Sequence, residues 1–520
     1  MAVPGTEILR MEHIRKVYSN GVVANSDITF AVNHGEIHAL SGENGAGKTT
    51  LMKMLFGEEQ PTRGDIYING EKTVIASPTA AIRMGIGMVH QHFMLVPSLT
   101  VIENMILGME PRKGLIIDQK LAERQVAEIS EKYNLIVPPH AKVQDLTVGQ
   151  KQKVEILKAL LHGAKIMILD EPTAVLTPQE TRELFHELKI LRDSGYTIIF
   201  ISHKLNEVRE LCDRITIIRR GQTMGVYDVK DVDEEEISHL MVGRDVALHL
   251  EKKPAHQGEA AIEVENLTVR NAIGQKKLDG ISFRAKRGEV FGVAGVEGNG
   301  QTELVEALSR NMDFHGGSIR ILGKDISGMT IRQLRAQKVS HIPEDRMTTG
   351  IAGALSITEN AMADKSYDPE FCGRGTLLRR KNIREYGRKM VERYNIFCKD
   401  PDVAISSLSG GNIQKVVLAR ELSSHPEVII ADQPTRGVDV GATEFIRKEL
   451  LRLRDEGKCV FLVSSDLNEL LGLADRLIVL CGGKIAAYFP DTTAITEDDV
   501  GQYMLGLDRQ SEQEIAEVTK

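Results

Sequence analysis

Short runs of uninterrupted apolar residues recur along the chain, and each ends in a polar residue and a Gly- or Pro-containing loop. EIHALSG (36–42), KIMILDEP (165–172) and YTIIFISHK (196–204) are of this kind. Runs of this length without alternation read as strands buried on both faces of a parallel sheet. Stretches with helical spacing lie between them, beginning with KTTLMKMLFGEE (48–59). Alternation of this sort predicts an α/β fold, in which ligands gather beyond the carboxyl ends of the strands.

The same pattern is written twice. DITFAVNHGEIHALSGENGAG (27–47) aligns without gaps on GISFRAKRGEVFGVAGVEGNG (280–300), an offset of 253. LTVGQKQKVEILKAL (146–160) aligns on LSGGNIQKVVLAREL (408–422), and IMILDEPTAVLTPQE (166–180) on VIIADQPTRGVDVGA (428–442), both at an offset of 262. A period of this length excludes a solenoid and means two tandem domains. We place them at 1–245 and 261–505, joined by a polar linker at 246–260 and followed by a charged tail at 506–520 that is expected to fray.

The loop after the first strand, Gly42-Glu43-Asn44-Gly45-Ala46-Gly47-Lys48-Thr49, fits G-x-x-x-x-G-K-[ST] between a strand and a helix. Glycines let backbone N–H groups turn inward around phosphates, and the helix start, through Thr50, adds a favourable dipole. Lys48 supplies a mobile positive charge and Thr49 a hydroxyl for Mg²⁺. Asp170 ends a buried strand, where a carboxylate is costly without a cation. Glu171 follows it, positioned to take a proton from an attacking water. Alone, these two acids would read as solvated carboxylates capping a strand; a phosphate loop upstream changes that reading. ATP and Mg²⁺ are the expected cofactors. In the second half the glycines Gly295, Gly298 and Gly300 persist with Thr302 and Asp432, but Gln301 replaces Lys48 and Gln433 replaces Glu171. Losing a general base typically costs roughly 10²–10⁴-fold in rate, so hydrolysis is expected in the first half only.

Composition narrows the class. With 42% hydrophobic and 27% charged residues the chain is an ordinary globular protein, and a net charge of −8 argues against nucleic acid as a partner. The five cysteines are scattered and form no CxxC pair, which suits a reducing compartment and offers no metal framework. No run approaches the roughly 18 apolar residues a membrane span needs, and the N-terminus is charged where an export signal is apolar. Membrane association, if any, is expected through partners only. The acidic run DVDEEEISHL (231–240) reads as a solvated helix start, the basic RGTLLRRKNIREYGRK (374–389) as a solvated helix face or a partner surface, and the methionines near LMKML and NMILGM as packing.

The phosphate loop, DEP (170–172) and LTVGQ (146–150) together resemble the signature of ATP-binding-cassette (ABC) ATPases, over essentially the whole chain. That resemblance implies two P-loop cassettes, each with a RecA-like, mostly parallel sheet, an antiparallel β subdomain and a helical signature subdomain. It implies that Gln91 links metal and water to the transport partner, that His203 contacts the γ-phosphate, and that Tyr18 stacks on adenine. Alone, Tyr18 or His203 would read equally as a core side chain. It makes Thr49, Gln91 and Asp170 the metal-binding residues and Lys48, Glu171 and His203 the catalytic ones. In the second half Glu344 stands for Gln91, Ser465 for His203, and no aromatic residue replaces Tyr18. Its signature, Ser409-Gly410-Gly411-Asn412, is the better one; the first half carries Thr147, Val148, Gly149 and Gln150 there. Asp439 replaces Thr177.

ABC cassettes meet head to tail, each phosphate loop facing the other's signature. Crossing the halves therefore collects Lys48, Thr49, Asp170, Glu171 and His203 with Ser409, Gly411 and Asp439 in one intact site. The altered parts, with LTVGQ, fall in the other. The pairing of DEPTAVLT with PTRGVDVG resembles the fused ATPases of bacterial simple-sugar and nucleoside importers, with MVHQHFMLVPSLTVIEN pointing to the nucleoside branch. Such a subunit sits on the cytoplasmic face of the membrane under two integral permease subunits, with an extracytoplasmic solute-binding protein in the same system. The alternative is a soluble twin-cassette ATPase acting on ribosomes, which normally keeps both sites intact and has a long charged linker. A DNA-repair cassette would need zinc-binding cysteines and a chromosome-condensing one long heptads; neither is present.

Overall fold

The buried apolar runs form the sheet cores. Ile37–Ser41, Ile166–Asp170 and Thr197–Ile201 are buried at every position. The computed structural model describes residues 6–19, 21–91, 93–114, 116–173, 176–244, 252–271, 273–372 and 377–519. It divides into two units, Met1–Val246 and Ala247–Lys520.

In the first unit, strands Ile86–Val89, Ile166–Asp170, Thr197–Ile201, Ile37–Ser41 and Arg214–Arg219 lie side by side in that order, all parallel. Gln222–Asp228 pairs antiparallel with Arg214–Arg219 and touches Val23–Asn33 at Gln222 and Asp27. From there the sheet continues as an antiparallel layer of Val23–Asn33, Glu7–Val17, Arg63–Ile68 and Glu71–Thr73. The second unit repeats the plan with its two layers separate. One is a six-stranded sheet centred on Val290–Gly295, Val428–Asp432 and Cys459–Val463; the other is a four-stranded antiparallel sheet of Ala260–Arg270 and its neighbours. A helical layer completes each unit. It contains Gln119–Lys132 and Val148–Leu161 in the first and Arg380–Arg393 and Gly410–Leu422 in the second. This is the α/β arrangement read from the sequence.

The basic stretch around 374–389 is largely solvated: Arg380–Arg393 buries Ile383, Gly387 and Met390, and residues 374–376 fall outside the described set. Gly387 is required because a Cβ there would come 2.4 Å from Thr358 Oγ1. The acidic run starts helix Glu234–Val242, capped by Asp233, with Glu234, Glu235 and Glu236 in its first turn.

Two expectations change at the edges of the second unit. The tail does not fray. Glu512–Ala516 is helical, Val518 is fully buried in the core of the antiparallel sheet, and Arg476 Nη2 donates to its carbonyl at 3.2 Å. Apolar Ile515 and Val518, masked by charged neighbours in the sequence, supply the anchor. The described part of the linker is likewise held along this unit: Arg454 Nη2 donates to Lys253 O and Gly258 N donates to Arg287 O. Residues 245–251 of the linker lie outside the described residues.

Candidate nucleotide sites

Between strand Ile37–Ser41 and helix Lys48–Leu55, the first unit's loop is pressed against its neighbours. A Cβ on Gly47 (φ 104°) would sit 2.3 Å from Asn25 Nδ2, and one on Gly42 2.1 Å from Ile218 O. Lys48 is 6% exposed, and its ammonium folds back to donate to Gly42 O at 2.6 Å and Glu43 O at 3.0 Å. A fully buried side chain that sequence reasoning missed, Asn25, donates from Nδ2 to Gly47 O at 3.1 Å and so braces the loop from the adjacent strand. No motif marks it, because its partner is a backbone carbonyl. Replacing Asn25 by Ala removes one of two bonds to that carbonyl, which keeps the Leu51 N–H at 2.9 Å, at a cost of about 0.5–1.5 kcal/mol. The expected result is a lower thermal midpoint together with weaker MgATP binding by the full chain, read by titration.

Asp170 hydrogen-bonds Thr49. Burial, then the charge of Glu171, pushes the Asp170 carboxyl up to about 6 against the pull of Lys48 and Lys53. A buried carboxylate in that condition fits a divalent cation, which would restore its charge. Among the described residues there is no cluster of three or more His, Cys, Asp and Glu arranged for a metal. Asp170, the Thr49 hydroxyl and nucleotide phosphate oxygens are the donors such an ion would find.

Glu171 has a left-handed backbone (φ 49°), with its N–H bonded to Ile201 O at 3.0 Å. Its carboxylate is bracketed: Gln91 Nε2 donates to Oε2 at 2.9 Å, and His203 Nδ1 donates to Oε1 at 2.9 Å. Burial works to raise this carboxyl, but the His203 hydrogen bond and charge, with Lys48 and Lys204, hold it below the usual glutamate value. It is therefore an ionised acceptor at neutral pH. Tyr18 is no core tyrosine. It is part-exposed, and its hydroxyl donates to Glu59 Oε1 at 2.9 Å and lies 3.3 Å from Thr50 Oγ1, which ties the ring to the phosphate-loop helix.

The second unit keeps this frame and changes its charges. Gly298 and Gly300 have φ 91° and 108°, and helix Gln301–Leu308 starts where Lys48–Leu55 did. Gln301 Nε2 donates to Val296 O at 3.2 Å, leaving Oε1 buried without a partner. Two further positions in this helix, outside the motif, also become acidic: Glu303 stands at Thr50 and Glu306 at Lys53. Burial, then Glu344 and also Glu306, pushes Asp432 up to about 7 despite Arg436. Glu344 does add negative potential there, but its own carboxylate is paired with Arg436. Gln433 has the same left-handed φ (47°) and the same backbone bond, to Val463 O, as Glu171. Its amide oxygen accepts from Ser465 N at 2.9 Å and Ser465 Oγ at 3.0 Å.

The two signature helices also differ. Thr147 Oγ1 accepts from Gln150 N at 3.2 Å while Gln150 Oε1 accepts from Thr147 N at 3.0 Å, so the first helix start is closed by its own capping box. Ser409 makes no such cap; its hydroxyl accepts from Asn412 Nδ2 at 2.9 Å, and helix Gly410–Leu422 begins with backbone N–H groups that no side chain at the cap takes up. Gly411 is needed because a Cβ there would meet Asp439 Oδ2 at 2.5 Å. Asp439 in turn caps the next helix through Ala442 N at 2.7 Å.

Thus Lys48, Thr49, Asp170, Glu171, His203 and Gln91 converge in the first unit, and Ser409, Gly411 and Asp439 in the second. Two phosphate-loop α/β cassettes in one polypeptide define the class as a tandem P-loop nucleotide-binding protein. The sequence profile of the ABC transporter family matches residues 25–174 and 278–436, and the chain belongs to that family. It is an ATPase of the ABC type.

Among its relatives, the nucleoside import ATP-binding protein NupA of Lactococcus lactis is 43% identical over 96% of this chain and 98% of its own length. The guanosine import ATP-binding protein NupO of Bacillus subtilis is 44% identical over 96% and 97%. The glucose import ATP-binding protein TsgD13 of Haloferax volcanii is 41% identical over 96% and 95%. Among solved structures, the complex of the archaeal ribosome recycling factor aABCE1 with a stalk protein contains a chain 18% identical, with a TM-score of 0.59 over 91% of this chain and 89% of that one. That likeness is one of fold alone.

Proposed function

We propose that the chain is the ATP-hydrolysing subunit of an importer of nucleosides, with simple sugars as the neighbouring solute class. The names of two relatives support the solute class, at 43% and 44% identity for the nucleoside and guanosine proteins against 38% for a ribose one. Two integral permease subunits and an extracytoplasmic solute-binding protein complete the system, and they hold the chain at the cytoplasmic face of the membrane. No described helix is long and apolar enough to cross a membrane, which accords with attachment through partners.

In this reading ATP lies between the phosphate loop of the first cassette and the signature of the second. Thr49, Asp170 and Gln91 would hold Mg²⁺, which would neutralise charge at the phosphates when bound. Tyr18 receives the adenine. Lys48 and the N–H groups of the loop hold the β- and γ-phosphates, Glu171 accepts the proton of the attacking water, and His203 orients Glu171 and the γ-phosphate. Ser409, Gly411 and the open start of the second signature helix present donors to the same phosphate, where fixed dipoles stabilise developing charge. The second site, built on Gln301, Asp432 and Gln433, serves binding and structure. One observation carries this division of labour: the unit with the complete Glu171 bracket has a self-capped signature helix, and the unit with the uncapped signature has lost its lysine and glutamate.

Cells lacking the chain are expected to lose accumulation of labelled guanosine, and the chain is expected to fractionate with membranes. A chain that follows ribosomes and whose loss leaves nucleoside and sugar uptake unchanged overturns the transport reading in favour of a ribosome factor.

A further inference from the structure

In the second unit the turn after Glu344 is fastened at three points. Asp345 accepts from Met347 N at 2.8 Å, Thr348 N at 3.1 Å and Thr348 Oγ1 at 2.6 Å, closing residues Arg346–Gly350 into a single wide turn. Arg420, on the signature helix, donates to Gly350 O at 2.8 Å. At the other end the Arg346 fork donates from Nη1 to Arg436 O at 2.6 Å and from Nη2 to Gly437 O at 2.8 Å. Those carbonyls belong to the loop running from Gln433 to Asp439. The same Nη2 lies 2.8 Å from where a Cβ on Gly410 would be, so the guanidinium rests against the first residue of the signature helix. Asp439 presses on Gly411 from the same loop. Residues Gly410 and Gly411 are thus gripped by Arg346 and Asp439, and the two grips are tied to each other through the loop. The first unit has Phe93 at the aligned position, which offers no donor.

We infer that Arg346 is a positioning residue for ATP hydrolysis, locking the Gln433–Asp439 loop to the start of the signature helix so that Ser409 and the helix N–H groups meet the γ-phosphate in one fixed pose. This rests on the reading that the second signature serves the first phosphate loop. A planar fork is suited to the task because it fixes two successive carbonyls at once, whereas an ammonium offers a single point of charge. Arg346 need not touch nucleotide. Its effect is on the geometry of groups that act in the transition state, so it should alter turnover and leave ground-state binding to the Lys48 loop.

The test is steady-state ATPase kinetics on the full chain carrying Arg346→Ala, Arg346→Lys, Ser409→Ala, and Arg346→Ala with Ser409→Ala. Misplacement of groups by about an ångström costs up to about 100-fold. Arg346→Ala should therefore lower kcat roughly 10- to 100-fold while KM for MgATP stays within about twofold. Arg346→Lys should recover only part of the loss. The double variant should be little worse than the worse single one, because both act through the same helix start. If Ser409→Ala lowers kcat and neither Arg346 variant does, this inference is overturned and the composite-site reading stands. If none of them lowers kcat, both fall. Losses that multiply in the double variant, or a rise in KM matching the fall in kcat, also overturn it, the first by showing independent action and the second by showing a general disturbance of the fold.

Discussion

Glu171→Gln is expected to leave the full chain able to bind MgATP while cutting phosphate release by roughly 10²–10⁴-fold. The substitution is a clean one because the second unit already carries glutamine at the corresponding place, on a backbone of nearly the same φ, 47° against 49°. The amide therefore fits the strained turn without refolding it. It removes the one property that glutamine lacks, an ionised oxygen that can take a proton. Gln91 and His203 both donate to the Glu171 carboxylate at 2.9 Å, so in the native chain that carboxylate is held by two donors and kept ionised. An amide would present one oxygen to that pair. The matching change in the other unit, Gln433→Ala, is expected to alter turnover modestly, since the Gln433 side chain, held by Ser465 among the described residues, offers no ionised oxygen. A single assay of phosphate release compares the two variants, and equal losses would contradict hydrolysis confined to one site.

Lys48→Ala should lower kcat/KM by about 10²–10³-fold, the scale of removing one preorganised charge from a transition state. Lys48 is 6% exposed and its ammonium sits among loop carbonyls, so no mobile ion from solvent takes its place easily. Gln301→Ala should do little. Gln301→Lys is expected to restore no hydrolysis when introduced into the Glu171→Gln chain, because the second unit still has glutamine at 433 and so no ionisable proton acceptor. Residual turnover in that double variant, compared with Glu171→Gln alone, measures the point directly.

The strands and the phosphate loop were legible because they announce themselves locally. A five-residue run such as IMILD leaves few alternatives, and the alignment of the halves, gapless within each block, located the phosphate-loop, signature and strand-end motif residues. Contacts that join distant backbone to side chain were not legible. Asn25 acts on Gly47, 22 residues away, with nothing in its surroundings to mark it. Thr147-x-x-Gln150 carries a capping-box pattern inside a variant signature, and only the closed helix start tells which of the two it serves. Glu303 and Glu306 lie outside the motif, so their effect is legible only in the charge of the whole helix. In the tail, abundant charge concealed two apolar anchors, Ile515 and Val518, that suffice to hold it.

The left-handed turn at Glu171 and Gln433 separates two things that usually travel together. A backbone held at positive φ by non-glycine residues costs of order 1–3 kcal/mol and survives only where many neighbours enforce it. Reactivity at that turn hangs on one side chain, so a single codon can silence it, while the contour has no such single point of failure. A cassette can in this way give up the ionised oxygen and still keep the mould of that turn intact.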